Sequence, residues 1–184
     1  MSVALLSASL PEETGAFRSG KKNSMVAMSI FKVLKKMDLM GIGVAGIACN
    51  AAHSPKIFDA VLKRMKNAGI NIKLVHIVGE VAKFIRKSYP KVRNVGVLCT
   101  TDTLKSKIYE TTFENQGLSV IFPNELLQDI VNKAIYDSSY GIKAQSSPVT
   151  ETAKMELFKA VDYLQQKGAE AIVLVCTEIP LAIT

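Results

Sequence analysis

The sequence predicts an α/β fold built on parallel sheets. Short apolar runs of strand length alternate with helical stretches along nearly the whole chain, glycines stand where helices should stop, and several runs end on a cysteine. Such alternation is the pattern of βαβ units, in which crossover helices cover the faces of a parallel sheet. At 184 residues with 48% apolar content, the chain is long enough to bury a core as one domain or as two small ones.

The apolar run at residues 3–7 opens the expected fold as a strand. In the stretch 23–40, Val26, Ile30, Val33, Leu34 and Met37 recur at helical spacing with lysines on the other face. Gly41 stops this helix and the strand 43–49 follows. A second amphipathic helix, 54–68, presents Ile57, Val61, Leu62 and Met65. Strands at 73–77, 94–99, 119–122 and 171–176 and helices at 103–116, 126–137 and 150–166 complete the reading. The last helix runs into Lys167-Gly168, a basic turn followed by glycine, which is a common helix stop. Helix, glycine, apolar strand and cysteine followed by polar residues thus occur twice, around Cys49 and around Cys176. The chain therefore reads as two related halves, 1–90 and 91–184, divided where Pro90 and basic residues interrupt the pattern.

A net charge of +7 raises the question of a nucleic-acid partner. The basic residues are dispersed, in pairs such as Lys21-Lys22, Lys35-Lys36, Lys63-Arg64 and Arg86-Lys87, with no basic stripe interleaved with aromatics. They read as solvated helix faces, and no nucleic-acid partner is expected. Nor is a membrane partner, because no apolar run reaches the roughly 18 residues of a span. No basic region precedes the apolar residues near Met1 and no cleavage site follows them, so the expected location is cytoplasmic. Cys49, Cys99 and Cys176 are odd in number and widely spaced, which suggests neither a disulfide framework nor a metal knuckle.

Ligands of open parallel sheets bind at the carboxyl ends of strands, where loops and helix amino termini converge. Cys49 and Cys176 both stand there, each followed by polar groups: Asn50 and His53 after the first, Thr177 and Glu178 after the second. A free cysteine often serves only as a small buried hydrophobe, and Cys99 is assigned that role. Two cysteines in matching settings beside ionisable neighbours point instead to thiol chemistry.

The segment Ala48-Cys49-Asn50-Ala51-Ala52-His53 resembles the Cys-Asn-Thr-Ala-His motif of the aspartate/glutamate racemase family, and Cys176-Thr177-Glu178 followed by Ile179-Pro180-Leu181 is similar to that family's second motif in its aspartate-racemase branch. Between them, Leu98-Cys99-Thr100-Thr101-Asp102-Thr103, with Ser106 and Tyr109, resembles the family's threonine-rich loop and the helix after it. Ile135-Tyr136 followed by Gly141-Ile142-Lys143-Ala144 is similar to a segment that carries a substrate-binding lysine. Four motifs occur in the family's order over nearly the whole chain.

The resemblance implies two pseudo-symmetric Rossmann-like halves with the active site in the cleft between them. It implies racemisation of an amino acid without a cofactor or metal, in a homodimer. Cys49 and Cys176 would be the catalytic pair, one thiolate removing the α-proton while the opposite thiol returns a proton to the other face. Substrate binding would fall to Asn50, Ala51, Thr100, Thr101, Thr103, Lys143 and Thr177, with Asn50, Thr101 and Thr177 as donors to the carboxylate that takes up carbanionic charge. His53 and Glu178 would tune the thiols or assist proton transfer, or else serve as a helix-start contact and a cap.

Four departures from the family pattern bear on these expectations. Ala51 replaces a motif threonine and removes a hydroxyl donor beside Cys49, and Val175 stands before Cys176 where glycine is common. In Leu10-Pro11-Glu12-Glu13-Thr14, Glu13 takes the position of a substrate-binding arginine, and an acid there repels a side-chain carboxylate. A neutral or basic amino acid, or a broad range, is therefore favoured over aspartate; Arg18 offers a displaced guanidinium or is simply a surface residue. The chain is also expected to lack the family's opening strand and glycine-rich loop, and the elements beyond the second motif. The alternatives are a related carbon-acid isomerase or decarboxylase, and a truncated paralogue that binds an amino acid without turning it over.

Overall fold

A computed structural model describes residues 20–183. The expected strand at 3–7 and the segment carrying Glu13 and Arg18 lie outside the described residues. The chain forms two compact units that divide between Ile77 and Val78.

In the first unit, α1 (Gly20–Leu39), β1 (Val44–Gly46), α2 (Pro55–Asn67) and β2 (Lys73–Val75) follow one another as a βα array should. β1 and β2 pair in parallel, with Val44 opposite Lys73 and Gly46 opposite Val75. Helical spacing puts Val26, Ala27 and Leu34 of α1 on the same side as Ile30 and Phe31. That face packs with Ile57, Val61 and Met65 of α2 and with Ala45 of β1 into one apolar core. Pro55 starts α2 at a position where its missing N–H costs nothing.

The division falls after the first residue of α3 (Ile77–Ser88), and the second unit continues with β3 (Asn94–Leu98), α4 (Thr101–Lys105), α5 (Ile108–Glu114), β4 (Ser119–Ile121), α6 (Glu125–Tyr136), α7 (Glu151–Gln166) and β5 (Ala171–Leu174). Its sheet runs β4-β3-β5, all parallel. The central strand carries Val95, Val97 and Leu98 with no exposure, as a strand covered on both faces must. Leu98 joins Val131, Ala134 and Ile135 of α6 and Leu157, Ala160 and Leu164 of α7 in the second core. Asn124 and Thr150 begin these two helices, their side chains accepting from the amides of Leu127 and Ala153.

Gly41, Gly69, Gly117 and Gly168 all hold positive φ between a helix and the strand that follows it. At the last of these, the Ala169 amide reaches back 3.0 Å to the Leu164 carbonyl, the closing bond of a left-handed helix cap. The helix-glycine-strand punctuation seen around Gly41 and Gly168 in the sequence therefore extends to two further turns.

The strands expected at 43–49, 73–77 and 171–176 end earlier, at Gly46, Val75 and Leu174, so that Cys49 and Cys176 lie just past their strands. Two helical stretches also differ from expectation. The helix expected at 103–116 is broken into α4 and α5. The Ser106 hydroxyl bonds back 2.6 Å to the Thr103 carbonyl, and Lys107 takes a left-handed φ of 56°. α3 was not anticipated: the expected strand 73–77 takes in Ile77, and no element is expected from there to residue 94, yet Val78, Ala82 and Ile85 are buried at helical spacing.

Candidate active site

Parallel pairing brings the residues that follow each strand to one edge of its sheet. In the first unit that edge holds Cys49, after β1, and His76, after β2. Cys49 is exposed and stands in extended conformation ahead of a 3-10 turn, Asn50–His53. Its carbonyl accepts from the Ala52 amide at 3.2 Å, and that of Ala51 accepts from Ser54 at 3.2 Å. Asn50 and Ala51 are half-buried on this turn.

His53 closes the turn from inside, with no exposure at all. Its Nε2 lies 3.0 Å from the Ile47 carbonyl, and its buried Nδ1 has no hydrogen-bond partner among the described residues. Neither ring nitrogen engages the Cys49 thiol. Burial holds the imidazole below its ordinary pKa; the bond to Ile47 opposes this and nearby His76 reinforces it. His76 sets its own Nε2 3.3 Å from the His53 carbonyl, and its ring meets those of His53 and Phe58 edge-on, at 4.9 and 4.7 Å.

In the second unit the edge holds Cys99, after β3, and Cys176, after β5. Cys99 is fully buried, and burial, with Cys176 nearby, pushes its thiol up to about 12. It is a core residue. Half-buried Cys176 donates from Sγ to Glu178 Oε2 at 2.8 Å. The same oxygen accepts from the Thr177 hydroxyl at 2.9 Å, while Oε1 accepts from Lys143 Nζ at 2.5 Å. Lys143 Nζ also lies 5.5 Å from the centre of the Tyr136 ring.

One carboxylate thus gathers a thiol, a hydroxyl and an ammonium. Burial alone would raise the Glu178 pKa, but the bonds from Cys176, Lys143 and Thr177 outweigh it and hold the acid down to about 2. The thiol responds in the opposite sense: burial, and then the bond to Glu178, push Cys176 up to about 12. Lys143 stays above its ordinary value because the bond to Glu178 overcomes its own partial burial. At neutral pH this edge therefore holds a thiol, a carboxylate and an ammonium, and the thiol is ready to give a proton rather than take one.

The threonine-rich loop is occupied locally. Thr100 Oγ1 caps α4, accepting from the Thr103 amide at 3.4 Å, and lies 3.1 Å from the Thr103 hydroxyl, which is buried. The Thr101 amide donates to Asn132 Oδ1 at 3.2 Å, leaving its side chain half-buried. Among the described residues, no group of three or more His, Cys, Asp or Glu is placed to hold a metal, and no helix is long and apolar enough to cross a membrane. Sequence reasoning passed over His76 and the partnership of Tyr136 with Lys143. The strand-end rule that selects Cys49 would have selected His76 as well.

Parallel α/β units with thiols at the carboxyl ends of their strands define the class of this chain. The model of the Asp/Glu/Hydantoin racemase family matches residues 4–184, and the chain belongs to that family. It is similar to the aspartate racemase of Picrophilus torridus, with a TM-score of 0.71 and 25% identity over 95% of this chain and 65% of that one. An aspartate racemase homologue from Pyrococcus horikoshii gives a TM-score of 0.72 at 25% identity, over 95% of this chain and 70% of that one. An uncharacterised Pectobacterium carotovorum protein from the pnlA 3′ region is 28% identical over 109 residues, 59% of this chain and 67% of its own. The chain thus spans about two thirds of the length of these relatives.

Proposed function

We propose that this chain works as a cofactor-independent amino-acid racemase in which Cys49 and Cys176, one from each half, act on opposite faces of the substrate α-carbon. The observation that carries this reading is the Cys176-Glu178-Lys143 arrangement. A thiol held protonated by an adjacent carboxylate is what the proton-returning side of a two-base site needs.

In the direction that uses Cys176 as the acid, the α C–H bond breaks and its proton passes to the thiolate form of Cys49, forming its S–H bond and leaving the electron pair on carbon, delocalised into the substrate carboxylate. Cys176 then delivers its proton to the opposite face, an S–H bond breaking as the new C–H bond forms. Lys143, held by the other oxygen of the same carboxylate, offsets the charge left on Cys176. Asn50, Thr101 and Thr177 supply donors to the carboxylate during the carbanionic stage.

The substrate is a free amino acid. Aspartate is the substrate in the names of the Picrophilus and Pyrococcus relatives, but Glu13 in place of an arginine favours a neutral, basic or broad range here. The engagement of Lys143 by Glu178 points the same way, because a second carboxylate arriving at Lys143 must compete with a bond already made. The working form in this reading is a cytoplasmic homodimer. Loss of optical activity from a panel of single-enantiomer amino acids tests the proposal: turnover should appear for neutral or basic members and vanish in both Cys49→Ala and Cys176→Ala. Turnover retained in both variants would exclude the thiol pair.

A further inference from the structure

We infer that His53 is a positioning residue, a buried imidazole that staples the Cys49 loop to the end of β1 through the backbone and performs no proton transfer of its own. This rests on Cys49 being one of the two bases. Three observations lead to it.

The ring is fully buried, and one of its nitrogens meets a carbonyl, that of Ile47, at 3.0 Å. A carbonyl only accepts, so Nε2 carries the proton and Nδ1 is left as a bare lone pair. That lone pair is itself buried and unmatched, so the imidazole is held in one tautomer with no route for a proton through it. Second, the bond spans the residue of interest. Ile47 lies two residues before Cys49 and His53 four after it, while the Cys49 carbonyl is held by the Ala52 amide. The thiol is therefore carried on a short loop closed at both ends.

Third, the staple continues into the neighbouring strand. His76, directly after β2, places Nε2 3.3 Å from the His53 carbonyl, and both rings pack on Phe58 of α2. β1, the turn bearing Cys49, β2 and α2 are joined by this cluster, which fixes the loop to the rigid part of its unit. An acid-base group must sit within a few tenths of an ångström of its working position, and a misplacement of about 1 Å can cost about a hundredfold in rate.

The test compares His53→Leu, which keeps the volume but loses the donor, with His53→Gln, whose amide nitrogen can take the place of Nε2. In His53→Leu, kcat should fall at least tenfold with KM within about twofold. Amide exchange in residues 47–53 should quicken about fivefold to tenfold, as expected for one lost buried hydrogen bond. His53→Gln should recover most of both. Unchanged exchange at 47–53 in a folded His53→Leu would overturn the staple, as would a His53→Gln that behaves like the leucine variant. Should the leucine variant not fold, His53→Asn replaces it, being polar but too short to reach Ile47. Exchange that responds as described in a protein that racemises nothing would leave the staple standing and remove the racemase reading.

Discussion

Replacing Glu178 with glutamine removes the anion that sits 2.8 Å from the Cys176 sulfur while keeping the size of the side chain. A charge-assisted hydrogen bond is worth about 1.5–3 kcal/mol, which at 1.36 kcal/mol per pH unit moves the thiol by about one to two pH units. The movement is downward, because the carboxylate favours the protonated thiol. Burial, the larger cause of the rise to about 12, is untouched, so the thiol remains well above an ordinary cysteine. Alkylation by iodoacetamide follows the thiolate fraction but loses some nucleophilicity as the pKa falls. The net gain at pH 8–9 is therefore about threefold to tenfold. The assay is the rate of Cys176 modification read on its own peptide by mass spectrometry, with Cys49 as internal reference. Racemisation should move the other way, since Lys143 loses its counter-charge and a single amide oxygen cannot accept from Cys176, Thr177 and Lys143 together, and kcat should drop about tenfold or more. A Glu178→Gln protein whose Cys176 reacts no faster than wild type would refute the coupling between carboxylate and thiol.

Acid should weaken the wild-type fold through the same carboxylate. Its folded pKa of about 2 lies below the ordinary 4.5 of a glutamate, so its contribution is complete above about pH 4.5 and is lost as pH falls toward 2. Urea melts at pH 5 and pH 3 should show a smaller loss in Glu178→Gln than in wild type. Cys99→Ala should cost about 1 kcal/mol in the same melts, the loss of one small buried group, and leave racemisation unchanged. Gly141→Ala should destabilise by about 2 kcal/mol and lower activity. The added Cβ would stand 2.5 Å from the Asp137 amide nitrogen and 2.6 Å from its carbonyl oxygen, in the loop that carries Lys143. A wild-type melt for Gly141→Ala would show that this loop yields without cost.

Much of the fold could be read from the chain because its cues are local. Helical spacing in α1 and α2, the glycine stops and the short apolar strands each announce themselves over a few residues. α3 escaped because its first residue, Ile77, falls in the strand expected before it and Gly79 interrupts the first turn, and only its burial pattern reveals the helix. The break at Lys107 escaped because a lysine in left-handed conformation leaves no mark in the sequence. At the site, the residue types after Cys49 and Cys176 were legible, but their partners were not. That Glu178 joins Lys143, 35 positions away, to Cys176 depends on how the loop after α6 meets the residues after β5. That His53 faces a carbonyl rather than the thiol depends on the depth of its burial.

Two-base inversion by Cys49 and Cys176 is tested most directly by the fate of the α-proton in heavy water. With a single-enantiomer amino acid, the inverted product should carry deuterium at the α-carbon from the first turnovers, while the unreacted enantiomer stays protiated; Cys49→Ala and Cys176→Ala should each form no inverted product. Inverted product that retains its original proton, or inversion that persists in both cysteine variants, would contradict the mechanism.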